Sequence, residues 1–236
     1  MRNIENGAEV MKVLTAYKLK NEIIDNFIIS DVNLSFLDLS EITASRFYAN
    51  KINFRATSFV EVSFNDCEFI SANFESCNLE NVNITDCVLS EANLCRTHMK
   101  NATINISTCI GTCFDYANLI EGVLYGSTLQ KATFRYSKMT GINGEISNFD
   151  ESDFSGANIT NGNFKGADFI GANLSSVIAT DAVFISCNFD NADFRNGDFR
   201  GANFAGANLQ NVIWKGAKIE GCQFDQEVRG KVEKMI

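Results

Sequence analysis

One phase of five residues runs through this chain and constrains everything else about it. Taken every fifth residue from Phe54 to Phe224, the sequence offers 35 positions: 17 Phe, eight Leu, four Ile and two Met. The remaining four are Cys109, Gly144, Ala179 and Trp214. Every Phe beyond residue 47 falls in this register. Two places before these centres, 33 of 35 residues are Ala, Ser, Thr, Cys, Gly or Val; only Ile52 and Ile142 are larger. A period of five belongs neither to a 3.6-residue helix nor to an uninterrupted strand. It fits a short extended segment followed by a turn. In the extended part, residues two apart point the same way, so the small and the large residue both face inward. Repetition bends the chain around an axis that the large side chains fill.

Places where the centre is small test this reading. At Ala44 and Ala49 the large residue has moved two places back, to Ile42 and Phe47, and Gly144 is paired with Ile142 in the same way. Such trading keeps the interior volume roughly constant, as close packing demands. Ala179 with Val177 and Cys109 with Ser107 are compensated less well, and are expected soft spots.

Composition narrows the function. The chain has 236 residues, 45% of them hydrophobic and 21% charged, a composition that folds. Its net charge of −9 argues against direct binding of nucleic acid, which needs a basic face. No run approaches the roughly 20 apolar residues of a membrane helix. Arg2 is not followed by an apolar stretch, so no secretory signal is read and a cytoplasmic location is expected. The eight cysteines are then thiols first. Cys67 and Cys87, one coil apart, are the pair for which a disulfide is geometrically conceivable, and the compartment disfavours it. The one histidine, His98, falls at an outward, solvated position and cannot build a Ser-His-Asp or Cys-His arrangement. Cys109 and Cys113 have ligand-like spacing, but one faces in and the other out. No catalytic residue, metal site or cofactor is therefore expected, and the chain is read as no enzyme.

The clearest units are Ala157-Asn158-Ile159, Ala167-Asp168-Phe169, Ala172-Asn173-Leu174, Ala202-Asn203-Phe204 and Ala207-Asn208-Leu209. In them the chain resembles the pentapeptide-repeat family, over about residues 32–226. The resemblance implies an all-β, right-handed quadrilateral β-helix with four units per coil. Its 39 units from position 34 make 9.75 coils, hence 9–10, and a rod about 47 Å long at ~4.8 Å per strand. Residues 1–31 are read as an N-terminal helix and cap, with Val10, Val13, Leu14 and Tyr17 forming the apolar stripe of a helix at 7–20. Residues 32–226 are the β-helix, and 227–236 a C-terminal helix or cap.

The residue before the centre is Asn or Asp in 20 of 39 units, which fits side chains that cap turn backbone. Charge sorts by face. Residues 33–226 carry 22 acids and 13 bases and so hold the whole −9. The faces of Phe54, Phe59, Phe64 and Phe69 net +1, −4, −2 and −4, so the two most acidic faces are opposite. On the Phe69 face the acids are Glu68, Glu91, Asp150, Glu151, Asp168 and Asp190, the expected partner-binding residues. The resemblance implies a protein-binding rod, its best-known branch being DNA mimics that bind DNA gyrase or topoisomerase IV and confer quinolone resistance. The alternative is a bacterial signalling or effector scaffold with another protein partner. The resemblance also implies a homodimer through the C-terminal end, where Val228, Val232, Met235 and Ile236 are placed on one helical side.

Overall fold

A computed structural model of the chain describes residues 2–3, 7–29 and 31–236. Residues 1, 4–6 and 30 of the segment expected to form the N-terminal cap lie outside the described residues. Backbone pairing climbs in steps of 20. On the Phe64 face it makes a parallel sheet of β1 (Arg2–Asn3), β2 (Ile24–Ile28), β3 (Thr43–Tyr48), β4 (Ser63–Asn65), β5 (Asn83–Thr85) and β6 (Thr103–Asn105), in that order. Beyond β6 and on the other faces the pattern repeats as short parallel pairs, from Asn33 with Asn53 to Asn203 with Gln223. The register is already present at Ile24, which pairs with Ala44, eight residues before the first unit visible in the sequence. Parallel crossovers in chains of L-residues turn right-handed, and the coil is a right-handed quadrilateral β-helix.

The inward register is the core. Phe134, Phe164 and Phe189 are fully buried, as are Cys109 and Ala179 at the expected soft spots. Rings stack coil upon coil: Phe114, Phe134 and Phe154 lie 4.9 and 4.6 Å apart by centroid, and Phe149, Phe169 and Phe189 4.9 Å apart at each step. Gly144 shows why a small centre is tolerated. A Cβ there would lie 2.8 Å from Phe164 and 3.1 Å from Phe149, so neighbouring rings already fill the space. Only in the last coil are centres partly exposed, at Leu209, Ile219 and Phe224, because no further coil covers them.

Each corner turns on a residue with positive φ, the left-handed region that glycine enters freely. Gly156 and Gly201 do so at φ +68° and +75°. Many corners use other residues, among them Asn161, Asn191 and even the β-branched Ile106 and Ile146 at φ +50°. Asn and Asp before the centre accept from the backbone amide two residues on, as in Arg55 N to Asn53 Oδ1 (3.1 Å) and Asp150 N to Asn148 Oδ1 (2.9 Å). They also ladder between coils: Asn53, Asn73 and Asn93 each donate from Nδ2 to the Asn Oδ1 one coil earlier.

A helix stands at each end of the rod. Helix α1 (Gly7–Lys20) buries Val10 and Leu14 against the first coils, with Val13 and Tyr17 packed beside them. Lys18 Nζ lies 3.1 Å from Asp38 Oδ1 and ties the helix to the rod. Helix α2 (Gln226–Val232) lies at the other end and buries Val232.

Candidate interaction surfaces

Only outward positions are available for chemistry, since both inward positions of each unit are packed. Two outward side chains flank each centre, and a third stands at the corner. Stacking brings equivalents within contact every 20 residues. It also brings the residue after a centre near the residue before the next coil's centre, 18 places on. Ser40 and Ser58 share a 2.8 Å hydrogen bond on that diagonal, and Asn50 donates to Glu68 at 3.2 Å.

The six acids of the Phe69 face do point outward, but they form two groups. Glu68 accepts from Asn50, and Glu91 from the Ser71 hydroxyl at 3.0 Å. About three coils further on come Asp150, Glu151, Asp168 and Asp190. Between the groups the face carries Thr108, Ile110, Thr128, Gln130 and Lys131. Glu151 is paired with Lys131 at 3.6 Å, and Asp190 accepts from Asn211 at 3.1 Å. Asp150 and Asp168 meet on the 18-residue diagonal; desolvation first, and repulsion by Asp150 second, raise the Asp168 carboxyl above its usual value. Asp168 was expected to cap its own turn, but Ile170 N is taken by Asp150 Oδ1 from the coil before, at 2.8 Å.

The opposite kind of surface lies on the Phe54 face. Arg55 and Glu75 approach to 3.4 Å, the first exposed and the second half-buried. Asp115 and Arg135 form more than a surface ion pair, since Asp115 is only 6% exposed and Arg135 donates to it from N, Nε and Nη2 at 2.9, 2.8 and 2.5 Å. At the adjoining corner, Arg96 stands 5.0 Å over the Tyr116 ring, which stacks on Tyr136 at 5.4 Å. The sequence did carry that stack, as three corner positions 20 apart.

At the C-terminal end the expected helical side is corrected. Helix α2 stops at Val232, so Met235 and Ile236 are not on it and are about half exposed. Val232 is buried and Val228 partly buried against the last coil. Val228, Val232 and Met235 line a hollow with Leu209 and Trp214.

The cysteines also differ from expectation. Cys95 and Cys113 form a disulfide, with Cα atoms 5.6 Å apart, whereas Cys67 and Cys87 are free and buried. Cys95 follows the centre Leu94 and Cys113 precedes the centre Phe114, which puts them on the 18-residue diagonal. A search for pairs directly stacked, 20 apart, passes over them. Cys67 and Cys87 instead begin an internal ladder. Cys67 N donates to Cys87 Sγ at 3.3 Å, and Cys87, Ser107 and Ser127 N donate to Ser107, Ser127 and Ser147 Oγ at 3.1–3.2 Å. Burial pushes the thiols of Cys77, Cys109 and Cys187 up to about 12 and that of Cys222 to about 11. His98 is exposed, as expected.

Such a rod, with its chemistry confined to outward side chains on stacked coils, defines a class of repeat protein. The family profile for pentapeptide repeats in eight copies matches residues 50–86 and 77–115, and that for the pentapeptide repeat region matches 147–224. Together they span more than half of the chain, which belongs to the pentapeptide-repeat family. No curated protein sequence matches it significantly. Among solved structures it is similar to HetL, a pentapeptide repeat protein involved in heterocyst differentiation regulation from the cyanobacterium Nostoc sp. strain PCC 7120: 19% identity, TM-score 0.49, covering 93% of this chain and 96% of that one. It is similar also to full-length QnrB1, a plasmid-mediated fluoroquinolone resistance protein, at 14% identity and TM-score 0.48, covering 88% and 98%. A pentapeptide repeat protein of the Arabidopsis thaliana thylakoid lumen is 21% identical at TM-score 0.38, over 53% and 73%. No helix among the described residues is long and apolar enough to cross a membrane.

Proposed function

We propose that this chain is a non-catalytic, protein-binding solenoid whose acidic faces imitate duplex DNA and engage the basic DNA channel of DNA gyrase or topoisomerase IV. The observation that carries the reading is the pair of opposite faces at −4 each on a rod of stacked coils. Complementary potentials of this kind steer association and select a basic partner. The Phe69 acids are the proposed contact, and the hollow of Val228, Val232 and Met235, with Ile236 beside it, the proposed seat of a homodimer. The proposed site of action is the cytoplasm, where those enzymes work.

A second reading is favoured by charge density. Duplex DNA carries about 28 charges over ~47 Å, three times the −9 here, and the acids of the Phe69 face fall into two groups rather than a continuous line. That spacing suits a signalling or effector scaffold for another basic protein. A gyrase supercoiling assay with added protein, together with direct binding, separates the two. Inhibition or drug protection at micromolar protein supports the mimic; no binding at that concentration removes it and leaves the scaffold.

A further inference from the structure

The one cross-link of the described residues sits in a square of four outward side chains. Asn93 and Cys95 flank Leu94 in one coil, and Cys113 and Asp115 flank Phe114 in the next. Asn93 pairs with Cys113, and Arg96 N donates to Asp115 O at 2.8 Å, so the ladder sets the height of both rows. Elsewhere this diagonal is bridged by hydrogen bonds, as at Ser40 with Ser58 and Asn50 with Glu68. The backbone therefore needs no covalent link there, and the cysteines are a local departure. They also end the asparagine ladder, which stops at Asn93.

We propose that Cys95, Cys113 and Asp115 form a redox-gated site for one thiophilic divalent cation, with Zn²⁺ as the representative ion. Closed, the pair is a disulfide between adjacent coils. A dithiol reductant opens it: the Cys95–Cys113 bond breaks, both sulfurs gain hydrogen, and the two sulfurs of the reductant join in a new disulfide. The ion then displaces the two thiol protons and takes both thiolates, one Asp115 oxygen and water, the open four-coordinate arrangement of zinc.

Four observations carry this. The two sulfurs and an Asp115 oxygen lie within 4.8 Å of one another. Asp115 is held in place by Arg135, as metal-ligating carboxylates are held by outer partners, and Oδ1, which accepts from Arg135 N, has a second lone pair for the ion. Two thiolates, Asp115, Arg135 and a divalent ion sum to zero charge, so a poorly solvated site is not left with net charge. Thr133 Oγ1, in the residue stacked on Cys113, is buried with no hydrogen-bond partner, and a thiolate at Cys113 supplies the kind of acceptor it lacks. The six other cysteines are buried, whereas Cys95 and Cys113 are partly exposed and open to reductant and ion.

The test uses the full chain. Protein reduced with a phosphine and kept free of oxygen is titrated with Zn²⁺ against a chromogenic chelator, and with Co²⁺ to read sulfur-to-metal charge transfer. The expected result is one ion per chain when reduced and none when oxidised. Cys95→Ser and Cys113→Ser each abolish the charge-transfer band, and Asp115→Asn weakens binding about tenfold or more. Cys67→Ser changes nothing. The serine variants keep a hydroxyl for the diagonal hydrogen bond, and their thermal midpoints verify folding. Absence of a bound ion in the reduced protein, or binding that survives Cys95→Ser, overturns the proposal.

Discussion

Corner residues carry strain that the sequence pattern does not announce. Left-handed backbone costs an ordinary L-residue about 1–2 kcal/mol, and a β-branched side chain is the worst suited to it. Ile146 stands there at φ +50° with its side chain 57% exposed, so it loses the strain energy without recovering it by burial. Ile146→Asn should raise stability by about 0.5–1 kcal/mol, read as a higher thermal midpoint; an unchanged or lower midpoint would contradict this account of the corner. The inward positions behave in the opposite sense. Phe164 is fully buried among Phe149, Phe154, Phe169 and Phe184, and Phe164→Ala should cost ~3–5 kcal/mol through lost transfer and a residual cavity. Denaturant unfolding measures it. Asn158→Ala should cost less, about 1 kcal/mol, because one turn hydrogen bond to Thr160 N is lost.

At the scale of elements, the weak points are the two covers. Helix α1 is held by the burial of Val10 and Leu14 and by the Lys18–Asp38 pair. Hydrogen bonds from Ser40, first from its backbone and then its side chain, and the Lys18 ammonium lower the Asp38 carboxyl to about 2. A carboxyl lowered on folding adds stability above its unfolded value, near 3.8, and that contribution is lost as the pH falls toward about 2. Wild type and Asp38→Asn should therefore differ in thermal midpoint above pH 4 and converge near pH 2; a constant difference across that range would show that the tether does not titrate. In a solenoid each coil is supported only by its neighbours. Removing residues 1–21 should thus leave Ile24, Phe27 and Ile42 uncovered and promote association, visible in light scattering. A monodisperse truncation of unchanged thermal stability would rule out the covering role of α1.

For the whole molecule, the proposed recognition is electrostatic and long-ranged. Charge reversal to Lys at Glu68, Glu91, Asp150 and Asp168 should slow association with gyrase far more than it speeds dissociation. Raising salt from about 50 to 200 mM should weaken wild-type binding, since the Debye length falls below about 10 Å. Surface plasmon resonance reads both rates. Equal association rates for wild type and variant would remove the acidic face from the interface, and Glu68, which bonds to Asn50, makes a thermal control necessary.

The five-residue phase was enough by itself to assign the phenylalanines of residues 54–224 to the inside, because a period of five with two inward positions leaves no other way to bury all 17. The helical spacing of Val10, Val13, Leu14 and Tyr17 likewise marked the stripe of α1, and the phase marked the capping role of Asn and Asp before the centre, since each depends on near neighbours in the chain. Contacts between coils were decided only by the tertiary structure. The Cys95–Cys113 link and the partnership of Asp150 with Ile170 N join residues 18 and 20 places apart. Their closeness depends on how one coil is offset against the next, a quantity that local sequence does not encode. The end of α2 at Val232 was not legible either: periodicity alone carries the helix to Ile236, whereas its backbone leaves the helix after Val232.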